Sequence, residues 1–245
     1  MVAKKWYRDV RKYLTTAFGG DRETFAHLLA ATSSGQGVVQ NWKDAMEAYQ
    51  RYRAGHYDDA IREFKRTGNI TADMQPKKAN GALYGRNSDA VLKVLAGTWL
   101  DSVEGPKTPN FFRNLFGRGT DATIDMWAAR TMRRLGYEGV EDAPAQWRIQ
   151  PASETGVSDL EFAFSQQAFK QAADRLDMKP HELQAIMWYR EKLLWAERGW
   201  SKGGAAAAME SYVPRLKEFS EQVTAAGGPQ GAGYLPRLTR YVQGC

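Results

Sequence analysis

The chain reads as an all-α protein. Apolar residues recur at helical spacing along most of its length, glycine- and proline-bearing breaks cut that pattern at short intervals, and no stretch alternates apolar and polar residues with β-branched enrichment. The breaks leave about eight to ten helices with short connections. With 245 residues the chain can form one large domain, or two lobes sharing a substantial core.

The elements follow in order. Breaks at Gly19-Gly20 and from Ser33 to Gly37 bound the first helices, with Asp21 as a cap. Trp42, Ala45, Met46, Tyr49 and Tyr52 mark one apolar helical face, and Tyr57, Ala60, Ile61 and Phe64 repeat it. After breaks from Gly68 to Pro76 and from Gly81 to Gly85, Ser88 caps a helix bearing Ala90, Val91, Val94 and Leu95. Gly105-Pro106 is a turn that sets Pro106 at the first position of the next helix. Phe111, Phe112, Leu115 and Phe116 anchor that helix, and Gly117 and Gly119 end it. Asp125 opens another helix as its cap. The stretch from Gly136 to Thr155, with Trp147, is the longest irregular one and reads as a crossing between lobes. Ser158 with Glu161 makes a capping box. Leu183, Ile186, Met187, Arg190 and Leu194 form a late stripe, and Met209, Tyr212, Val213, Leu216 and Phe219 a further one, before a glycine-rich tail from Gly227.

Composition narrows the function. Hydrophobic residues at 43% and charged residues at 25% fit a soluble globular protein. The longest apolar runs fall well short of the ~20 residues of a membrane span, so no membrane partner is expected. The N-terminus has a basic start but no apolar core behind it, which argues against a secretory signal. Cys245 is the only cysteine, which excludes an intrachain disulfide and any multi-cysteine zinc or iron–sulfur centre. His27, His56 and His181 lack metal-ligand spacing; His181, beside Glu182 at a helix start, reads as a solvated residue. A metal site and cofactors are therefore not expected, and the expected compartment is the cytoplasm. A net charge of +6 permits a polyanionic partner. Lys77, Lys78, Arg113, Arg118, Arg130, Arg133 and Arg134 lie around one segment, although solvated helix faces would look the same.

That segment carries the chemistry. Lys107 sits near the start of one helix, and Asp125, eighteen residues on, at the start of the next. The helix dipole and free N–H groups favour the ionised carboxylate there. An amine and a carboxylate brought together this way can attack and stabilise a sugar C1′ carbon.

The surrounding residues add a family likeness. Gly105, Lys107, Thr108 and Asn110, then Phe116-Gly117, then Ile124-Asp125 and Arg130, follow the order G-x-K-T-A-N, F-G, V-D and a later arginine. The segment thereby resembles the helix-hairpin-helix DNA glycosylases of the endonuclease III type, and the lysine-to-aspartate spacing equals theirs. Weaker likeness runs through 25–41, 83–91 and 183–190, so that about 21 to 198 can be laid along that fold; only 105–130 is specific. The resemblance implies a two-lobed all-α fold with the active site in the cleft between lobes. Residues 32–119 would form the lobe carrying hairpin and lysine, 1–31 plus 120–204 the lobe carrying the aspartate, and 205–245 a helical extension. It implies a monomer that flips a nucleotide out of duplex DNA. Lys107 would be the Schiff-base nucleophile and Asp125 the stabiliser of the oxocarbenium. Gly105, Thr108, Asn110 and Arg130 would contact DNA. Ser34 and Gln36 stand where the family inserts a wedge, and Tyr84, Trp127, Trp188 and Tyr189 are candidates for a base pocket, although a plain loop and core aromatics are the alternatives. The expected setting is the nucleoid, or a phage-infected host cytoplasm.

Departures leave other functions open. The family hairpin L-P-G-V-G is Asp101-Ser102-Val103-Glu104-Gly105 here, keeping one glycine and gaining a negative charge where phosphate should dock. Pro109 replaces an alanine and Trp127 a histidine. One alternative is an enzyme of the same fold acting on modified pyrimidines in phage DNA hypermodification. Another is a non-catalytic DNA-binding or inhibitor protein.

Overall fold

The computed structural model describes residues 3–99, 107–137 and 156–199. The expected hairpin at 101–105 with Gly105, the turn at Pro106, the crossing around Trp147 and the extension 205–245 lie outside the described residues. Among the described residues the chain is helical, with no strand beyond one isolated bridge between Lys77 and Leu83. The α-helices are α1 Trp6–Phe18, α2 Arg22–Ala31, α3 Val38–Arg53, α4 Asp58–Thr67, α5 Ser88–Ala96, α6 Lys107–Phe116, α7 Met126–Tyr137, α8 Asp159–Arg175 and α9 Pro180–Glu197. None of them is long and apolar enough to cross a membrane.

The core is built around α2. Phe25, Ala26, Leu28, Leu29, Ala30 and Ala31 are all buried, so nearly every face of this short helix is covered. It packs against α1, α3, α5 and α6. Phe25 stacks on Phe18 at 3.8 Å between ring centroids and leans on Trp42 at 5.7 Å. Each such side chain contributes roughly 1.5–3 kcal/mol by leaving water. His27 belongs to the same core, stacked on Phe112 at 3.7 Å, and burial pushes its imidazole down to about 4.

A second cluster joins Ala122, Ile124, Ala128, Phe169, Ala173 and Leu183, from the loop before α7 and from α7, α8 and α9. Helix α1 touches both groups, packing on α2, α6 and α9. Helix α2, whose exposed residues are confined to its charged start, thus packs on three helices of 32–119 as well as on α1.

Local capping follows the sequence in part. Ser158 and Glu161 form the expected box: the Glu161 N–H donates to Ser158 Oγ at 3.3 Å and the Ser158 N–H to Glu161 Oε2 at 3.0 Å. Asp21 precedes α2 but does not cap it, because its carboxylate is taken by the Tyr49 hydroxyl at 2.8 Å and by Arg53. Ser88 is the first residue of α5, with Asn87 at the cap position, and its hydroxyl donates back to the Gly85 carbonyl. The long 68–87 connection is held down from α3: Lys78 Nζ meets the buried Asp44 Oδ1 at 2.7 Å, and the Ala79 N–H meets Glu47 Oε1 at 2.6 Å.

Candidate functional site

A cleft opens where the starts of α1, α3 and α6, the turn after α2, the loop 121–125 and the middle of α9 meet. It encloses about 660 Å³ of atom-free space, its open mouth included. Aromatic walls come from Trp6, Tyr7, Trp42, Phe111, Trp188 and Tyr189. Its polar lining includes Lys107, Asp125, Ser33, Gln36, Thr123 and Gln184. Its make-up, apolar with a few converging polar groups, is that of a ligand site.

The loop before α7 fixes Asp125. Ala122 and Ile124 are buried plugs of the second core. Between them the backbone is gripped by amides. Gln166 accepts from the Ala122 N–H at 3.0 Å and donates to the Ala122 carbonyl at 2.6 Å. Asn114 Nδ2 donates to the Asp121 carbonyl at 2.9 Å and lies 3.0 Å from Thr123 Oγ1. Asp125 then caps α7, Oδ1 accepting the Ala128 N–H at 2.9 Å, while Oδ2 accepts Trp188 Nε1–H at 2.9 Å. Each carboxylate oxygen has its own donor, so the group is held in one orientation at the cleft wall.

Gly119 is part of this grip. A Cβ there would stand 1.7 Å from Asn114 Oδ1. Gly119→Ala must therefore displace the Asn114 amide and loosen 121–125. The expected cost is about 1–3 kcal/mol for two disturbed buried hydrogen bonds, read as a lower midpoint in urea unfolding. Gly119→Ala should behave like Asn114→Ala, and the two together no worse than either alone.

Lys107 opens α6, which docks on α2 through the buried Phe112 and Leu115. Its Nζ donates to Ser33 Oγ at 3.5 Å, and Ser33 in turn donates to the Ala30 carbonyl at 2.7 Å. Across the cleft floor the Tyr7 hydroxyl sits between Thr123 Oγ1 at 3.0 Å and Gln184 Oε1 at 3.2 Å. Burial raises the Tyr7 phenol far above its usual value, so it remains a neutral donor.

The structure distributes the sequence candidates unevenly. Lys107 and Asp125 border the same cleft, with Gln36, Trp188 and Tyr189. Ser34 is not among the residues lining the cleft; its backbone carbonyl accepts from Asn87 at 3.2 Å, and the neighbouring Ser33 meets the lysine. Tyr84 is not at the cleft: it is 1% exposed in the first core, 3.1 Å from the Tyr57 hydroxyl. Thr108 is half-buried in the first turn of α6. Asn110 is buried, and its amide donates to the Ala122 carbonyl at 3.5 Å, which braces the loop. Trp127 and Arg130 stand behind the Trp188 wall. Trp127 meets Trp188 edge-on at 6.4 Å, and the Arg130 guanidinium lies 4.1 Å over Trp127 and 3.9 Å over Trp195. His181 is not solvated: it is buried against Tyr7 at 5.2 Å, and that burial lowers its pKa. Trp6 and Tyr7 were not marked by any motif; they reach the cleft because α1 packs on α6 and α9.

Among the described residues no three His, Cys, Asp or Glu side chains converge as a metal site. A second groove is lined by Arg11, Lys12 and Arg22 with Leu115 and Phe116. It lies between α1, the start of α2 and the end of α6.

No curated protein and no solved structure matches the chain. A family model described as a family of unknown function (DUF7178) matches residues 1–193, a span that runs from before α1 into α9 and takes in every residue placed at the cleft. The chain belongs to that family of unknown function, DUF7178.

Proposed function

We propose that the chain is a DNA glycosylase with AP-lyase activity, working on a nucleotide flipped from duplex DNA into the aromatic cleft. One observation carries the reading: Lys107 and Asp125, from the starts of two different helices, border one aromatic-walled cleft. An extruded base would stack on the indole and phenol faces. The Asp125 carboxylate would stabilise positive charge at C1′ as the glycosidic bond lengthens. The deprotonated Lys107 amine would then bond to C1′, while the glycosidic electron pair leaves on the base, which takes up a proton. Opening of the sugar ring moves a proton from the amine to O4′ and gives the protonated Lys107 Schiff base; a C2′ proton is then lost to water or the departed base, a C2′=C3′ double bond forms, and the C3′–O bond breaks to expel the 3′ phosphate.

The test is borohydride trapping on duplex DNA containing an abasic site. The expected result is a covalent adduct and strand cleavage with the wild-type chain, and neither with Lys107→Ala. No adduct and no cleavage over a panel of damaged bases would overturn the reading. Glu104, which stands where the family hairpin meets phosphate, favours a second reading on the same fold: action on modified pyrimidines of phage DNA. Mass spectrometry of nucleosides from such DNA, before and after treatment, would show a modified base released or altered.

A further inference from the structure

Lys192 takes no part in the chemistry above, yet it lies against the wall that holds Asp125. It follows Trp188 by one turn of α9. Its Nζ stands 4.1 Å from the centroid of the Trp188 indole and 5.3 Å from that of Trp127. The same Trp188 indole donates its N–H to Asp125 Oδ2 at 2.9 Å. One ring therefore has a cation on its face and a carboxylate at its N–H. A cation over an indole withdraws electron density from the ring and makes its N–H a stronger donor. Its charge also acts directly on the nearby carboxylate.

We propose that Lys192 is a positioning residue for Asp125: its ammonium, stacked on Trp188, strengthens the indole-to-carboxylate hydrogen bond and holds Asp125 fixed at the cleft wall. Asp125 and Arg130 face Lys192 from the α7 side, and they pull its titration in opposite directions. Glu191, next to it on α9, is bound by Arg134 and Trp195. Lys4 and Lys5 lie on the short Ala3–Lys5 helix packed on α9, and from α1 comes the neutral Tyr7. Burial is the largest influence and lowers Lys192 to about 8, so the ammonium is present below that pH and lost above it. A lysine laid on two tryptophans for packing alone would show none of this coupling.

Two measurements on the full chain separate the possibilities. The first needs no substrate and is a pH titration of tryptophan fluorescence. The wild-type chain should show a transition near pH 8 that Lys192→Met lacks and Lys192→Arg moves above pH 10. Asp125→Asn should lower the transition by about half a unit or more, because the coupling is reciprocal. The second rests on the glycosylase reading and is the pH profile of base release. The wild-type rate should fall along an alkaline limb near pH 8 that Lys192→Met lacks and Lys192→Arg moves upward. A wild-type fluorescence transition that survives in Lys192→Met, or one that Asp125→Asn does not move, overturns the proposal. Absence of base release from any substrate counts against the glycosylase reading, and the fluorescence titration still decides the coupling.

Discussion

If the chain is the glycosylase proposed above, Asp125→Asn should lower single-turnover base release by about 10²–10³-fold while the chain stays folded. The expectation comes from the two roles the carboxylate plays. As a cap, Asp125 gives Oδ1 to the Ala128 N–H, and asparagine caps a helix as well as aspartate does. As a charge, it faces the cleft with Oδ2 held by Trp188. Asparagine has one oxygen for two donors, so either Ala128 or Trp188 loses a partner, at about 1–2 kcal/mol. That loss would lower the unfolding midpoint modestly. The loss in rate would far exceed it, because an uncharged amide gives no stabilisation to a developing oxocarbenium. Asp125→Ala removes cap and charge together and should lose more stability for a similar loss in rate. Base release by Asp125→Asn within about threefold of wild type would mean that the carboxylate only caps α7.

The same residue marks how far the sequence could be read. Its cap role was legible because it is local: an aspartate before an apolar helical stripe has few other uses. The Ser158–Glu161 box was legible for the same reason, both partners lying within one turn. Helix faces such as Trp42–Ala45–Met46–Tyr49 were legible because periodicity needs no knowledge of the partner.

What the sequence hid depends on contacts between distant segments. Asp21 has the identity and position of a cap, but Tyr49 and Arg53, about 30 residues on, compete for its carboxylate and win. His181 follows a proline at a helix start, a place that is commonly wet; the Tyr7 ring, from the other end of the described chain, covers it. At the turn after α2 the serine that meets Lys107 is Ser33, one before the expected Ser34, in a turn whose Thr32 and Ser34 carbonyls are held by Asn87. For Tyr84 a pocket place and a core place are both open in the sequence, and the buried bond to Tyr57, which depends on how the 68–87 connection folds back, decides for the core. In each case the residue type was compatible with two environments, and a tertiary neighbour decided between them.

Glu191 is the strongest instance, and it carries a large expected effect on stability. A glutamate in a late helix has no sequence mark of importance, yet here it is 0% exposed. Its Oε1 accepts Trp195 Nε1–H at 3.0 Å, and its Oε2 meets Arg134 Nε and one terminal guanidinium nitrogen at 2.9 Å each, with the Thr131 hydroxyl at 3.4 Å. The arrangement pins α7 to α9, the helices that carry Asp125 at one start and Trp188 at mid-length. Glu191→Ala strips the Arg134 guanidinium, itself only 12% exposed, of this carboxylate and should cost about 3–5 kcal/mol. That is a large share of the roughly 5–15 kcal/mol that holds a domain folded, and urea unfolding would read it directly. Glu191→Gln keeps an acceptor and should cost less, about 1–3 kcal/mol. Glu191→Leu combined with Arg134→Met removes both charges and should recover most of the loss, since apolar replacement of a buried pair is often neutral. A double variant no more stable than Glu191→Ala would show that the pair itself, rather than the charge left behind, holds α7 on α9. The rate of base release then gives a second reading: if the double variant folds but Asp125 is no longer held against Trp188, the rate falls while the unfolding midpoint recovers.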